Sequence, residues 1–268
     1  MALPAPSPDS TCLVTGASSG IGADLARSLA RRGHGATLVA RRVERLEELA
    51  DELRREHGVR AETIACDVSQ PKARAGLARQ VEELGLTVEV LVNNAGFGSG
   101  GLFYELDQER ELEMVRVNVE AVVALCGTYV PEMVGRGRGA VLNVASTAAF
   151  QPLPRQATYA ATKAFVLSFT DGLHADLRGT GVAATSLCPG PVRTEFAETA
   201  GIDEAAAGLP DVFWMESDQV AEQAVKALER GRRVVVPGML NLAGAIGGQH
   251  APRGLFLRFG SRVTPVGR

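Results

Sequence analysis

The chain has 268 residues and a formal net charge of −3, which offers no broad attraction for a polyanion and argues against nucleic acid as a partner. That length can bury a sizeable core without disulfides or metals. Cys12, Cys66, Cys126 and Cys188 lie far apart, with no His at ligand spacing, so they read as reduced core thiols and no metal site is expected. The leader MALPAPSPDS has neither a basic start nor an apolar run. It reads as a flexible arm over residues 1–10, neither signal peptide nor membrane span, and the expected location is cytoplasmic.

Beyond the leader, short apolar runs alternate with helical stretches. TCLVTG, GATLVA, AETIACDV, VEVLVNNAG, GAVLNVAS, VAATSLCPG and RRVVVPG have the continuous apolar character of strands buried on both faces of a parallel sheet. Between them, GADLARSLARRG, VERLEELADELRREHG and AGLARQVEELG carry helical periodicity and each ends near a Gly suited to a helix C-terminus. Such alternation predicts a doubly wound α/β fold with right-handed crossovers. No linker or repeat interrupts it before about residue 239, so a single domain over 11–238 is expected.

The first strand-to-helix turn is TGASSGIG, residues 15–22. Gly16, Gly20 and Gly22 allow a tight turn and close approach of backbone to a pyrophosphate held at the helix N-terminus. A glycine pattern alone is weak evidence, because many strand-to-helix turns want Gly. No Gly-Lys-Ser/Thr follows, so the turn is not an NTP-binding P-loop. Later in the chain, Tyr159 and Lys163 are spaced i, i+4 and project from one helix face, while Ser146 lies at the end of the preceding strand, where ligands bind in open α/β sheets. Taken singly, each residue has a commonplace reading: a packed aromatic, a solvated cation, a turn-forming Ser.

Taken together with NNAG at residues 93–96 and Asn118, these motifs resemble the classical short-chain dehydrogenase/reductase family, from about Thr11 to Gly238. The resemblance implies a seven-stranded Rossmann sheet holding a nicotinamide cofactor, and association through helices near 107–134 and 157–178 into homodimers or homotetramers. It implies Asn118, Ser146, Tyr159 and Lys163 as the catalytic set. Tyr159 would be the general acid/base, Ser146 the hydrogen-bond donor to the carbonyl oxygen, and Lys163 the cation that lowers the phenol and binds the nicotinamide ribose. Asn118 would kink its helix and order water leading from Lys163 to solvent.

On the same resemblance, Gly16, Ser18, Ser19, Gly20, Ile21 and Gly22 would contact the cofactor phosphates. Asp67 would use its carboxylate and Val68 its backbone at the adenine. Asn93, Asn94, Ala95 and Gly96 would line the adenosine side and steady the strand. Pro189, Gly190, Val192 and Thr194 would surround the carboxamide and the pyrophosphate. At the end of the second strand, LVARRVERL offers Arg41 and Arg42 where an NAD site would want an acid. A carboxylate would repel an extra phosphate and an Arg can grip it, so NADP(H) is expected over NAD(H), with Arg41 the first reader and Arg42 the second.

A lid is expected at about 195–215, with Phe213 and Trp214 closing or packing an apolar pocket for a ketone, a steroid-like or a fatty acyl substrate. The alternative is a protein that binds NADP(H) as a redox sensor or scaffold without turnover. Residues 239–268 form a basic, partly apolar tail with four Arg and no Asp or Glu. Its glycines and prolines argue against a long amphipathic helix, and packing against the protein's own cleft or an oligomer interface is favoured over membrane contact.

Overall fold

Aliphatic runs too short for helices and too apolar for a solvent-facing strand can bury both faces only inside a parallel sheet. In a computed structural model describing residues 3–202, 208–252, 254 and 257, they do so. Strands β1 (Ser10–Thr15), β2 (Ala36–Ala40), β3 (Ala61–Ala65), β4 (Thr87–Asn93), β5 (Gly139–Val144) and β6 (Val182–Leu187) are followed by short β7 (Val192–Arg193), β8 (Met215–Glu216) and β9 (Val234–Val235). Seven of them form one sheet in the order β3-β2-β1-β4-β5-β6-β9, every pairing parallel, while β7 and β8 pair separately. The chain reverses direction across the sheet between β1 and β4. That switch point opens a crevice at the strands' carboxyl ends.

Helices α1 (Gly20–Ala30), α2 (Val43–His57), α3 (Pro71–Glu83), α4 (Gln108–Val115), α5 (Ala121–Arg136), α6 (Ala157–Asp176), α7 (Phe196–Ala200), α8 (Ser217–Glu229) and α9 (Met239–His250) connect or cap the strands. The pattern of α2 explains its place: Leu46, Leu49, Ala50 and Leu53 make a buried stripe, its Glu and Arg stay outside, and Gly58 at φ 63° ends it. One core joins α1, α2 and α8 to the sheet; the other joins α3, α5 and α6 to the opposite face. All four cysteines are buried and unbridged. The run Gln108–Arg136 is long and apolar enough to cross a membrane, yet half of its most apolar stretch is buried within the fold, as a core helix would be.

Both ends pack against the domain over their described residues. The leader, expected to be flexible, lies on the domain over its described residues. Leu3 packs partly buried against the first core, and Ser10 Oγ donates to Ser7 O at 3.1 Å. Proline content did not register that one Leu side chain has a place to bury. At the other end, α9 forms in spite of Gly244, Gly247 and Gly248, through burial of Asn241 and Ala245. The folded unit continues past Gly238. Arg253, Arg258, Arg262 and Arg268, the cationic residues singled out in the tail, lie outside the described residues, as do Leu255, Phe256 and Phe259.

Candidate active site

The glycine turn is closed by its neighbours. Gly16 and Gly20 hold φ of 68° and 53°, backbone that L side chains rarely adopt. A Cβ on Gly16 would lie 2.8 Å from Ala95 Cα, and one on Gly22 only 2.3 Å from Gly16 O. Asn94 secures this approach by donating Nδ2–H to Thr15 O at 3.0 Å and Gly16 O at 3.1 Å. Thr15 Oγ1 in turn accepts from the N–H groups of Asn94 and Ala95. Ser19 precedes α1 without a side-chain cap, which leaves the first N–H groups, at Gly20, Ile21 and Gly22, for an anion.

Of the roles expected of Asn93, its contacts are those of a residue that steadies the strand. It is buried in β4 and donates to Asn143 Oδ1 at 2.8 Å and weakly to Cys126 Sγ, while Asn143 donates to Thr170 Oγ1 at 2.9 Å. Successive residues of a strand face opposite ways, so Asn93 serves the core while Asn94 serves the loop. Exposed Gly96 is placed otherwise. A Cβ there would meet Asn118 Oδ1 at 2.9 Å and Lys163 Nζ at 3.4 Å, so the backbone passes close to both polar groups.

Those groups belong to the expected catalytic set, whose members converge from three elements. Asn118 sits in a π turn, Arg116–Glu120, between α4 and α5, the local distortion that the expected kink required. Its Nδ2 donates to Phe97 O at 2.9 Å and Thr162 Oγ1 at 3.1 Å, and its Oδ1 accepts from Phe97 N at 3.2 Å. Ser146 follows β5 and accepts from Ala148 N at 3.1 Å. Tyr159 and Lys163 lie one turn apart on α6, both buried, with Lys163 Nζ 5.8 Å from the Tyr159 ring centre and donating to Val144 O at 2.8 Å. Tyr159 belongs to a small apolar cluster with Met114 and Ala148, against which Phe97, Leu153 and Phe196 pack.

Burial governs the titration of this corner. It pushes the Tyr159 phenol up to about 12, against the opposing pull of the Ser146 hydroxyl, and brings the Lys163 ammonium down to about 8. The sequence reading had Lys163 and oxidised nicotinamide together lowering the phenol; in the protein alone desolvation dominates both groups, and the ammonium donates to Val144 O.

The far corner of the crevice is polar and open. Arg42 donates Nη2–H to Ser19 Oγ at 2.7 Å and Nε–H to Ser18 Oγ at 3.2 Å, whereas Arg41 is 70 % exposed, with Glu113 at 3.7 Å its one ion-pair partner among the described residues. The contacts thus tie Arg42, second in the sequence reading, to the glycine loop. Asp67 is half-buried and its Oδ1 accepts from Ser69 N at 2.9 Å; Val68 is buried, with its O accepting from Arg74.

On the remaining side, Pro189 O accepts from Thr147 N at 2.9 Å, placing the Pro189–Gly190 turn beside Ser146. A Cβ on Gly190 would lie 2.4 Å from Asn241 Cγ, so α9 closes directly over that turn. Val192 lies in β7, and Thr194 stands against Gly20, its Cγ2 only 2.9 Å from where a Cβ would be. A cavity of about 380 Å³ adjoins Ser146 through Thr147 and is lined by Gln151, Phe213, Leu240, Asn241 and Ala245. Of the two aromatics expected in the lid, Phe213 faces this cavity, while Trp214 lies under Arg193 with 5.5 Å from guanidinium to ring. Residues 203–207 of the lid lie outside the described residues.

Several participants escaped sequence reasoning. Arg45, one turn after Arg42, pairs with Glu195 at 2.6 Å, and its i, i+3 spacing was a usable signal. The interior Asn143 was legible as a polar break in an apolar strand. Nothing in the sequence pointed to Asn241 or Glu195.

Known proteins place this geometry. The family profile for short chain dehydrogenase matches residues 10–205. The chain is 37% identical over 218 residues to sulfoacetaldehyde reductase 2 of Chromohalobacter salexigens, covering 78% of this chain and 84% of that one. It is 33% identical over 195 residues to the very-long-chain 3-oxoacyl-CoA reductase of Anas platyrhynchos, covering 69% of this chain and 61% of that one. A short-chain dehydrogenase from Sphingobium yanoikuyae, solved in complex with NADPH, superposes with a TM-score of 0.79 at 35% identity, over 94% and 93% of the two chains. The chain therefore belongs to the short chain dehydrogenase family and is an oxidoreductase acting on CH–OH and C=O groups.

Proposed function

We propose that this protein is an NADP(H)-dependent oxidoreductase that interconverts an apolar carbonyl compound and its secondary alcohol, with Tyr159 as general acid and base. The observation that carries the reading is the convergence of buried Tyr159 and Lys163, one turn apart on α6, with Ser146 at the end of β5. A dinucleotide fits the residues present. The uncapped start of α1 suits a pyrophosphate, Gly96 leaves room beside Lys163 Nζ, and Arg42 with Ser18 and Ser19 offers donors to a phosphate monoester. The NADPH complex of the Sphingobium yanoikuyae relative supports the same choice.

The nicotinamide supplies or accepts the hydride. In reduction, the Tyr159 hydroxyl gives its proton to the carbonyl oxygen, and Ser146 Oγ–H donates to that oxygen as charge develops. Burial keeps the phenol protonated, which suits a donor. Oxidation needs the phenolate, and positive charge at Lys163 favours it. Lys163 would also donate to the ribose hydroxyls, and Asn118, tied to Phe97 and Thr162, fixes the backbone beside it. Val192 and Thr194 would hold the carboxamide end, and Asp67 and Val68 the adenine end.

An apolar substrate follows from the side chains around Tyr159 and from the cavity lined by Phe213, Leu240 and Ala245. Self-association is supported by exposed Leu112, Val115, Val123 and Val134 on α4 and α5 and by exposed Phe165 on α6. The test is NADPH consumption over aliphatic, aromatic, steroid and β-ketoacyl carbonyls, with NADH in parallel. Turnover of at least one class with NADPH is expected. Binding of NADPH without turnover across the panel would sink the reading.

A further inference from the structure

Glu195 stands at the junction between the lid and the cofactor groove. It immediately precedes α7, and its carboxylate reaches across to α2, where Oε1 accepts from Arg45 Nη1 at 2.6 Å and Oε2 from Arg42 Nη1 at 2.9 Å. The same Arg42 donates to Ser18 and Ser19 of the glycine loop. Two guanidiniums and two hydroxyls thus converge beside a single carboxylate. A phosphate monoester satisfies such a donor set better than a carboxylate does, having more charge and three acceptor oxygens.

The residues on either side of Glu195 give this contact a reach. Thr194 is pressed on Gly20 at the start of α1, and the Phe196 ring centre lies 5.4 Å from that of Tyr159. Arg110 donates to Thr199 O at the end of α7. Residues 194–200 therefore span from the arginines to the catalytic tyrosine. The arginines hold the Glu195 carboxyl down to about 2, so it stays charged at any working pH. Its side chain is 44 % exposed, as are Arg42 at 44 % and Arg45 at 46 %, and pairs so open to solvent are weak and screened by salt. An incoming phosphate can displace this one.

We propose that Glu195 is a specificity-determining counter-ion, occupying Arg42 and Arg45 in place of the adenosine 2′-phosphate, so that NADP(H) must displace the lid carboxylate while NAD(H) leaves it where it is. Arg45 then joins Arg41 and Arg42 as a phosphate reader, and Glu195 limits the preference that the three arginines create. Displacement also frees the first turn of the lid, whose next side chain packs on Tyr159. This rests on the NADP(H) reading above.

The test measures binding of NADPH, NADH and 2′,5′-ADP to the full-length protein and to Glu195→Gln and Arg42→Ala. Glu195→Gln is expected to tighten NADPH and 2′,5′-ADP by about twofold to tenfold at low salt, less at high salt, and to leave NADH unchanged. Amide exchange over residues 194–200 should rise with NADPH and not with NADH. Unchanged or weaker NADPH binding in Glu195→Gln, with Arg42→Ala still selective against NADPH, overturns the counter-ion role alone. Equal weakening of NADPH and NADH by Arg42→Ala overturns the cofactor reading, and the counter-ion role falls with it.

Discussion

The two ends of the crevice solve the problem of polar groups by opposite means. At the proposed catalytic end, Asn118, Tyr159 and Lys163 are buried, and Asn118 and Lys163 are held by hydrogen bonds to uncharged partners, backbone or Thr162. At the proposed phosphate end, Arg42, Arg45 and Glu195 are exposed and held by one another, with Arg41 exposed near Glu113. Burial moves protonation equilibria far and makes each group costly to replace. Exposure leaves charge pairs dependent on salt and open to exchange of partners. Proton transfer needs the first environment; selection between two dinucleotides can be made in the second.

The largest effect should come from the buried end. Tyr159→Phe removes one oxygen from a packed ring, so folding and cofactor affinity should survive while turnover falls on the order of 10² or more, the scale for losing a positioned acid. Steady-state kinetics on the best substrate, with a parallel NADPH titration, decide it. Near-normal turnover would refute the role given to Tyr159.

A second prediction uses the sign of the Lys163 shift. Its folded value, about 8, lies below the ordinary 10.5. Between those values the unfolded chain binds a proton that the folded chain does not, so stability rises with pH across about 8 to 10.5 and is flat with respect to this group below 8. Relative to Lys163→Met, the protein should gain about 3 kcal/mol over that window. Denaturant unfolding of both proteins at a series of pH values measures the difference. A constant gap would mean that Lys163 titrates near its ordinary value.

The same contrast explains what the sequence could and could not disclose. Val90, Leu91 and Val92 are all fully buried, and a strand with no wet face announces itself as an unbroken apolar run. Tyr159 and Lys163 were legible because one helix fixes their spacing. The separate roles of Asn93 and Asn94 were not legible, because two adjacent Asn at a strand end face opposite ways, and only the packed helices decide which face is core. The α9 helix was missed because each of its glycines costs about 1 kcal/mol relative to Ala, and long-range burial of Asn241 and Ala245 overrides a local preference. Glu195 lies 150 residues from Arg45, a pairing that no local pattern encodes.

At the open end the effects should be smaller and should fade with salt. Arg42→Ala is expected to weaken NADPH by about tenfold while changing NADH little, since it removes charge-assisted bonds to a phosphate that NADH lacks. Repeating the titration at high ionic strength should shrink the difference, which no variant at the buried end should do. A loss independent of salt would mean that Arg42 supports the glycine loop through Ser18 and Ser19 and reads no phosphate.

The smallest effect sharpens the contrast within the arginines themselves. Sequence order put Arg41 first, but its side chain is 70 % exposed, with Glu113 at 3.7 Å its one ion-pair partner among the described residues, whereas Arg42 is already bonded to both serines of the loop. An exposed, unfixed cation contributes mainly by screened attraction and loses side-chain entropy when it engages. Arg41→Ala should therefore weaken NADPH by about threefold or less, with NADH unchanged. The double variant should lose about the product of the two single losses if the residues act independently. If Arg41→Ala instead proves the more damaging of the two, Arg41 swings onto the phosphate when cofactor binds, and the order read from the sequence stands over the one read from the contacts.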